Sequence, residues 1–204
     1  MSKKNAASRG ASRFPVLTPE TLTKAQTRML KALLAGPRGG GDMSKDAMTS
    51  ALNRGPFNAW LRSPALGDRL QKVGEYIRFG SSMPQDLNEM AILITARYWT
   101  SQFEWFAHSA LALKAGLDPK IVEALARNKR PSKMTRQQAA VYAFCAQLHH
   151  KKKVSNSAYA RAVECFGEQG VMDMIAACGY YTAVSMTLNV AKVPVPAGHK
   201  KPLK

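Results

Sequence analysis

Acidic residues are scarce in this chain: 13 Asp and Glu stand against 30 Lys and Arg, a formal charge of +17 over 204 residues. Such an excess favours anionic partners and speeds encounters with them, without bearing on fold. The cations are spread out. Lys3, Lys4, Arg9 and Arg13 precede the body, Lys200, Lys201 and Lys204 follow it, and the densest internal run is Lys151-Lys152-Lys153. Scattered cations without interleaved aromatics do not form a nucleic-acid groove. A small anionic organic substrate is the expected partner.

Cysteine is also sparse. Cys145, Cys165 and Cys178 are widely spaced, and no C-x-x-C occurs. That argues against a disulfide framework and a zinc site, and fits a reducing, cytoplasmic setting. Metal ligands are equally thin: His149 and His150 are adjacent and cannot face one ion from a helix, and His199 falls in the terminal stretch. No metal is expected. The Gly-rich stretch 38–42 lacks the Gly-Lys-Ser/Thr ending of a phosphate loop. The first residues hold no apolar signal core. The only long apolar run, 174–188, is shorter than a membrane span and is dotted with Gly179, Thr182, Ser185 and Thr187. It reads as a buried or oligomer-interface helix.

No segment alternates with period two, and helix punctuation recurs throughout. Thr18-Pro19, Ser63-Pro64, Asp118-Pro119, Thr135 and Ser155 are helix starts, and Gly36-Pro37 and Gly116 are stops. Ser82 with Gln85 fits a capping box. Residues 87–99 are apolar nearly all round, the mark of a central buried helix. The fold class is all-α. The expected organisation is a disordered basic tail over 1–16, one helical domain over 17–192, and a basic Pro-containing tail over 193–204.

Glu104 and His108 stand four apart, on one face of a helix. A carboxylate on one imidazole nitrogen fixes the tautomer and raises the basicity of the other, a minimal acid–base device. Ser101 to Glu104 is also a capping-box pattern, which would make Glu104 structural. Arg97 and Ser101 join the same side if the helix is continuous. Glu89, in the most apolar helix, needs a partner or must hold its proton. Fifteen residues of straight helix would keep Glu89 about 22 Å from Glu104. The two meet only if the chain breaks and turns back near Tyr98 to Ser101.

Asn88-Glu89-Met90-Ala91-Ile92-Leu93, Ala96-Arg97-Tyr98-Trp99, Ser101-Gln102-Phe103-Glu104-Trp105-Phe106-Ala107-His108 and Ala115-Gly116-Leu117 together resemble the carboxymuconolactone decarboxylase / alkylhydroperoxidase D-like superfamily. The likeness spans roughly 55–190 and is most specific over 87–117. It implies an alkylhydroperoxidase D-like helical bundle assembled as a homo-oligomer, a trimer or hexamer. In the peroxidase branch a Glu precedes a C-x-x-C by twelve residues, and a His follows the second Cys by four. Glu89 and His108 match those positions, while Ser101 and Glu104 stand where the cysteines would be. The thiol chemistry of that branch is therefore missing from the motif.

The decarboxylase-like branch implies cofactor-free decarboxylation or proton transfer on a small carboxylated lactone or ring compound, a carbon–carbon lyase. The resemblance assigns His108 as proton donor, Glu104 as its orienter and Glu89 as a second acid–base group. Arg97 would anchor the substrate carboxylate, with Ser101 beside it, unless Arg97 only pairs with Glu89 or Glu104. The alternatives are an alkylhydroperoxidase-like peroxidase using the remaining cysteines, and a non-catalytic basic binding module on the same scaffold.

Overall fold

The computed structural model describes residues 12–204, so most of the expected N-terminal tail lies outside the described residues. The described residues form helices and no strand. A 3-10 turn at Pro19–Thr21 leads into α1 (Lys24–Ala35), α2 (Lys45–Leu52), α3 (Phe57–Trp60) and α4 (Pro64–Phe79). There follow α5 (Gln85–Tyr98), α6 (Gln102–Lys114), α7 (Pro119–Ala126), α8 (Arg136–Lys151) and α9 (Asn156–Ala191).

Local chemistry sets many of these limits. The side chains of Thr23, Ser44, Asp118, Thr135 and Ser155 accept from first-turn N–H groups, and Pro64 and Pro119 occupy first-turn positions where an N–H is not needed. α9 is two helical runs joined at Gly167, whose φ of 67° and ψ of 179° form a conformation essentially reserved for glycine.

α5 is the centre of the fold. Every residue from Leu87 to Ala96 is buried, because α6, α8 and α9 pack around it. One apolar cluster joins α5 with α6 to α9, through Met90, Leu93, Trp105, Ile121, Phe144 and Met174. A second is built from Met29, Leu30, Leu34, Trp60 and Ile77, closed by Tyr180, Tyr181 and Val184 of α9. α9 alone among the described helices is long and apolar enough to cross a membrane, but much of it is buried in these two clusters.

The turn into α5 differs from the expected capping box. Pro84 is the N-cap, and the N–H and hydroxyl of Ser82 both donate to Asp173 of α9, each at 2.8 Å. Ser82 lies two residues ahead of the cap, too early to serve the first turn. The Ser81 and Tyr76 hydroxyls donate to the same carboxylate at 3.3 and 3.2 Å. Asp173 therefore ties the α4–α5 turn to α9.

The reversal after α5 is tight. Thr100 takes a left-handed φ of 46°, and the N–H of Ser101 reaches back to the Ala96 carbonyl at 2.9 Å. Asn189 donates to the Trp99 carbonyl, and the Trp99 indole N–H donates to Thr182, so α9 holds the turn from outside. The second capping box also fails: Ser101 is the N-cap of α6, but its buried hydroxyl bonds nothing.

The ends of the described chain are packed. The Arg13 N–H donates to the Ala191 carbonyl, and the Asn58 side chain bonds backbone groups of Phe14, Pro15 and Leu17. The segment 193–204, expected as a tail, folds back as a strap over α6. Its Leu203 is buried and exchanges two backbone hydrogen bonds with the Gln102 amide, at 2.8 and 3.0 Å. Val193 packs on the second cluster and the His199 ring meets Phe106 at 4.6 Å, so the segment is anchored at several points.

Candidate active site

The reversal at Thr100 lays α6 against α5 and brings Glu89 and His108 together across nineteen positions of sequence. The Nδ1 of His108 lies 2.7 Å from Glu89 Oε2. The Gln85 amide donates to the other carboxylate oxygen at 3.3 Å. Glu89 has no solvent exposure, so these two neighbours are its compensation for burial. On the opposite side of the ring, His108 Nε2 stands 3.3 Å from Glu104 Oε2. That contact has ion-pair distance without hydrogen-bond alignment, so Oε2 counts as unpartnered. The Tyr181 ring meets the imidazole edge-on at 4.9 Å and fixes its tilt.

The expected contacts of the two acids change places. Glu89, not Glu104, makes the short bond that sets the imidazole tautomer. Glu104 sits beside the other ring nitrogen, on the cavity side. The i,i+4 spacing aims Glu104 at the distal nitrogen because Nδ1 is already committed to α5.

Glu104 and His108 open onto a cavity of about 340 Å³ where α1, α4 and α9 face α6. Leu33, Phe57, Phe103, Phe106, Tyr180 and Tyr181 give it a largely apolar, aromatic wall. Arg38, Arg54 and Arg78 are its other charged lining groups, and Pro196 of the strap roofs it. The size suits a single-ring compound. Gly74 of α4 allows the close approach on one side: a Cβ there would collide with the Tyr180 hydroxyl and the Arg38 guanidinium.

Burial pushes the Glu104 carboxyl above its ordinary value; His108 opposes that, Glu89 adds to it, and Arg78 and Arg38 oppose it. Tyr180 is pushed up to about 12 and Tyr181 well above its usual value, in both cases first by burial. Neither phenol is a ready proton donor. The Glu104 shift has a stability consequence. A carboxyl raised in the folded state holds its proton more tightly folded than unfolded, so its contribution is full below the ordinary 4.5 and is lost as pH climbs through the raised value. Glu104→Gln is expected to remove that decline. Urea midpoints of both proteins from acid to neutral pH measure it, and parallel curves would refute it.

Arg97 and Ser101 do not reach this cavity. Arg97 faces a small cleft on the far side of α5 with Tyr98, Leu125, Asn128, Lys129 and His150. The break at Thr100 takes it out of register with α6, on which its predicted position depended. No carboxylate pairs with it among the described residues, so the ion pair with Glu89 or Glu104 is not formed either. Ser101 is fully buried in the turn. Residues that the motif reading missed are Arg38 and Arg78, which come from the loop after α1 and the end of α4.

The described residues hold no cluster of His, Cys, Asp and Glu suited to a metal ion. Of the thiols, Cys165 is half-buried, whereas Cys145 and Cys178 are buried beside each other between α8 and α9. Hydrogen bonding from Cys145 draws the Cys178 thiol down, against burial and with help from His149, while Cys145 is pushed up. Neither thiol lines the cavity.

No family model matches the chain, and no curated protein matches it.

Proposed function

We propose that the cavity is the active site of a cofactor-free acid–base enzyme acting on a small carboxylated lactone or ring compound, by decarboxylation or proton transfer. The observation that carries this reading is the buried Glu89–His108–Glu104 relay opening on an aromatic cavity with cationic walls. In the decarboxylation form, the substrate carboxylate leaves as CO2 and the electron pair passes into the ring carbonyl. His108 Nε2, supplied from Glu104, then delivers a proton to carbon. Glu89 keeps the imidazole oriented throughout. This is the activity implied by the resemblance to the decarboxylase-like branch, a carbon–carbon lyase.

The adjacent Cys145 and Cys178 favour a second reading, a thiol peroxidase, but their burial away from the cavity weakens it. The exposed side chains of Met172, Ile175, Met186 and Val190 follow one face of α9, with open space above Gly179. That stripe supports a homo-oligomer with the face covered by a second copy.

One preparation tests the set. CO2 release and exchange of carbon-bound hydrogen with deuterated water are screened over small lactone and ring carboxylates. Turnover is expected to survive simultaneous Cys145→Ser, Cys165→Ser and Cys178→Ser changes within about tenfold, with no thiol-dependent hydroperoxide reduction. A larger loss in the folded variant, with hydroperoxide consumed by the parent, would transfer the activity to the thiols. Light scattering on the same sample is expected to give a multiple of 22.3 kDa, and a monomer mass would remove the oligomer.

A further inference from the structure

Arg38 and Arg78 enter the cavity from separate elements, and no carboxylate pairs with either among the described residues. The Nη1 of Arg38 donates to the Gln71 carbonyl at 2.8 Å, and the guanidinium also neighbours the Tyr180 hydroxyl, which together hold it in place at the cavity wall. Arg78 lies over the Phe79 ring at 5.0 Å, and its buried Nε has no hydrogen-bond partner. A buried donor left unmade is costly, and a guanidinium is a fork matched to a carboxylate. Glu104 is the one acid lining the same cavity, and it is engaged with His108.

We propose that Arg38 and Arg78 form the clamp for the substrate carboxylate, in place of Arg97, and so select planar, mainly apolar ring carboxylates over their uncharged analogues. The proposal rests on the acid–base reading of the cavity, but its test does not need turnover. A carboxylate held by the two guanidinium groups satisfies the orphaned Arg78 Nε and neutralises cations beside a largely apolar wall, where charge pairing is stronger than in open solution. The aromatic wall of Phe57, Phe103 and Phe106 then receives the ring. The two arginines come from elements outside the α5–α6 motif. The clamp is therefore a property of the N-terminal helices, and the relay a property of the central pair.

The experiment is isothermal titration of the full chain with benzoate and with benzamide, its uncharged counterpart. Benzoate is expected to bind at least about tenfold tighter than benzamide, on the scale of a charge-assisted pair. Arg38→Gln and Arg78→Gln are each expected to weaken benzoate by about tenfold or more and to leave benzamide nearly unchanged. Arg97→Gln is expected to leave both titrations as in the parent. Arg78→Lys keeps the charge but not the fork, and is expected to fall between parent and Arg78→Gln. It also provides a reading if the glutamine variant does not fold. Equal binding of benzoate and benzamide, no benzoate binding, or an Arg97→Gln loss as large as the Arg78→Gln loss would overturn the clamp. Failure of every turnover screen with these titrations intact would overturn the acid–base reading and leave the clamp standing.

Discussion

Glu89→Gln is expected to lower turnover by about 10²-fold or more, the scale of a lost acid–base group, while the protein stays folded. The substitution is nearly isosteric. The Gln carbonyl can still accept from His108 Nδ1–H, and the Gln85 amide can turn over so that its oxygen accepts from the new N–H. What disappears is a carboxyl group at Nδ1, replaced by a neutral amide that can neither take up nor give a proton. His108→Ala is expected to lose at least as much activity, but it is the poorer diagnostic. It strips a carboxylate with no solvent exposure of its main partner, a change costing roughly 3–5 kcal/mol where a buried pair is broken. Turnover and urea unfolding must be read together. A Glu89→Gln protein with parental turnover and a stability loss of about 1–3 kcal/mol would show that Glu89 only satisfies a buried hydrogen bond, and the relay would be discarded.

Asp173→Ala is expected to destabilise the fold by about 2–4 kcal/mol, since three hydroxyls and one backbone N–H lose a charged acceptor together. Asp173→Asn keeps one acceptor oxygen and should cost less. Urea titration measures both, and an Asp173→Ala change within about 0.5 kcal/mol of the parent would show that water replaces the carboxylate without penalty. The contact matters beyond stability. The Ser81–Ser82 turn fixes where α5 begins, and with it the positions of Gln85 and Glu89 one turn later. A loosened turn should therefore lower turnover along with stability.

Much of the helical outline was legible because its signals are local. Thr135 and Ser155 cap the helices they open, and Pro64 and Pro119 lie in first turns. The need for a reversal near Ser101 could be reasoned from two acidic groups too far apart on one straight helix. Its position at Thr100 could not, since no glycine marks the left-handed residue and the contacts that hold it come from Thr182 and Asn189. The failed capping boxes have separate causes. Ser82 and Ser101 carry the right spacing, but a buried carboxylate claims the first and the tight turn seals in the second.

The site was half legible for a related reason. Glu89, Glu104 and His108 belong to adjacent helices and one motif, whereas Arg38 and Arg78 carry no periodicity that marks them as cavity residues. Arg97 was placed by helical spacing across a break. Spacing says which residues share a face only while the helix continues.

The burial of Glu89 has one more implication, for how hydrogen ions travel. The bond between Glu89 and Nδ1 is walled in by α5 and α6, and no water reaches its carboxylate. The Nδ1 hydrogen is thus a resident rather than a passenger. All traffic with the solvent must pass on the other face of the ring, through Nε2 and Glu104. On the proposed chemistry the imidazole is a one-ended conduit, and among the described residues the cavity that would admit the substrate would also be the entrance for the proton that reaction consumes.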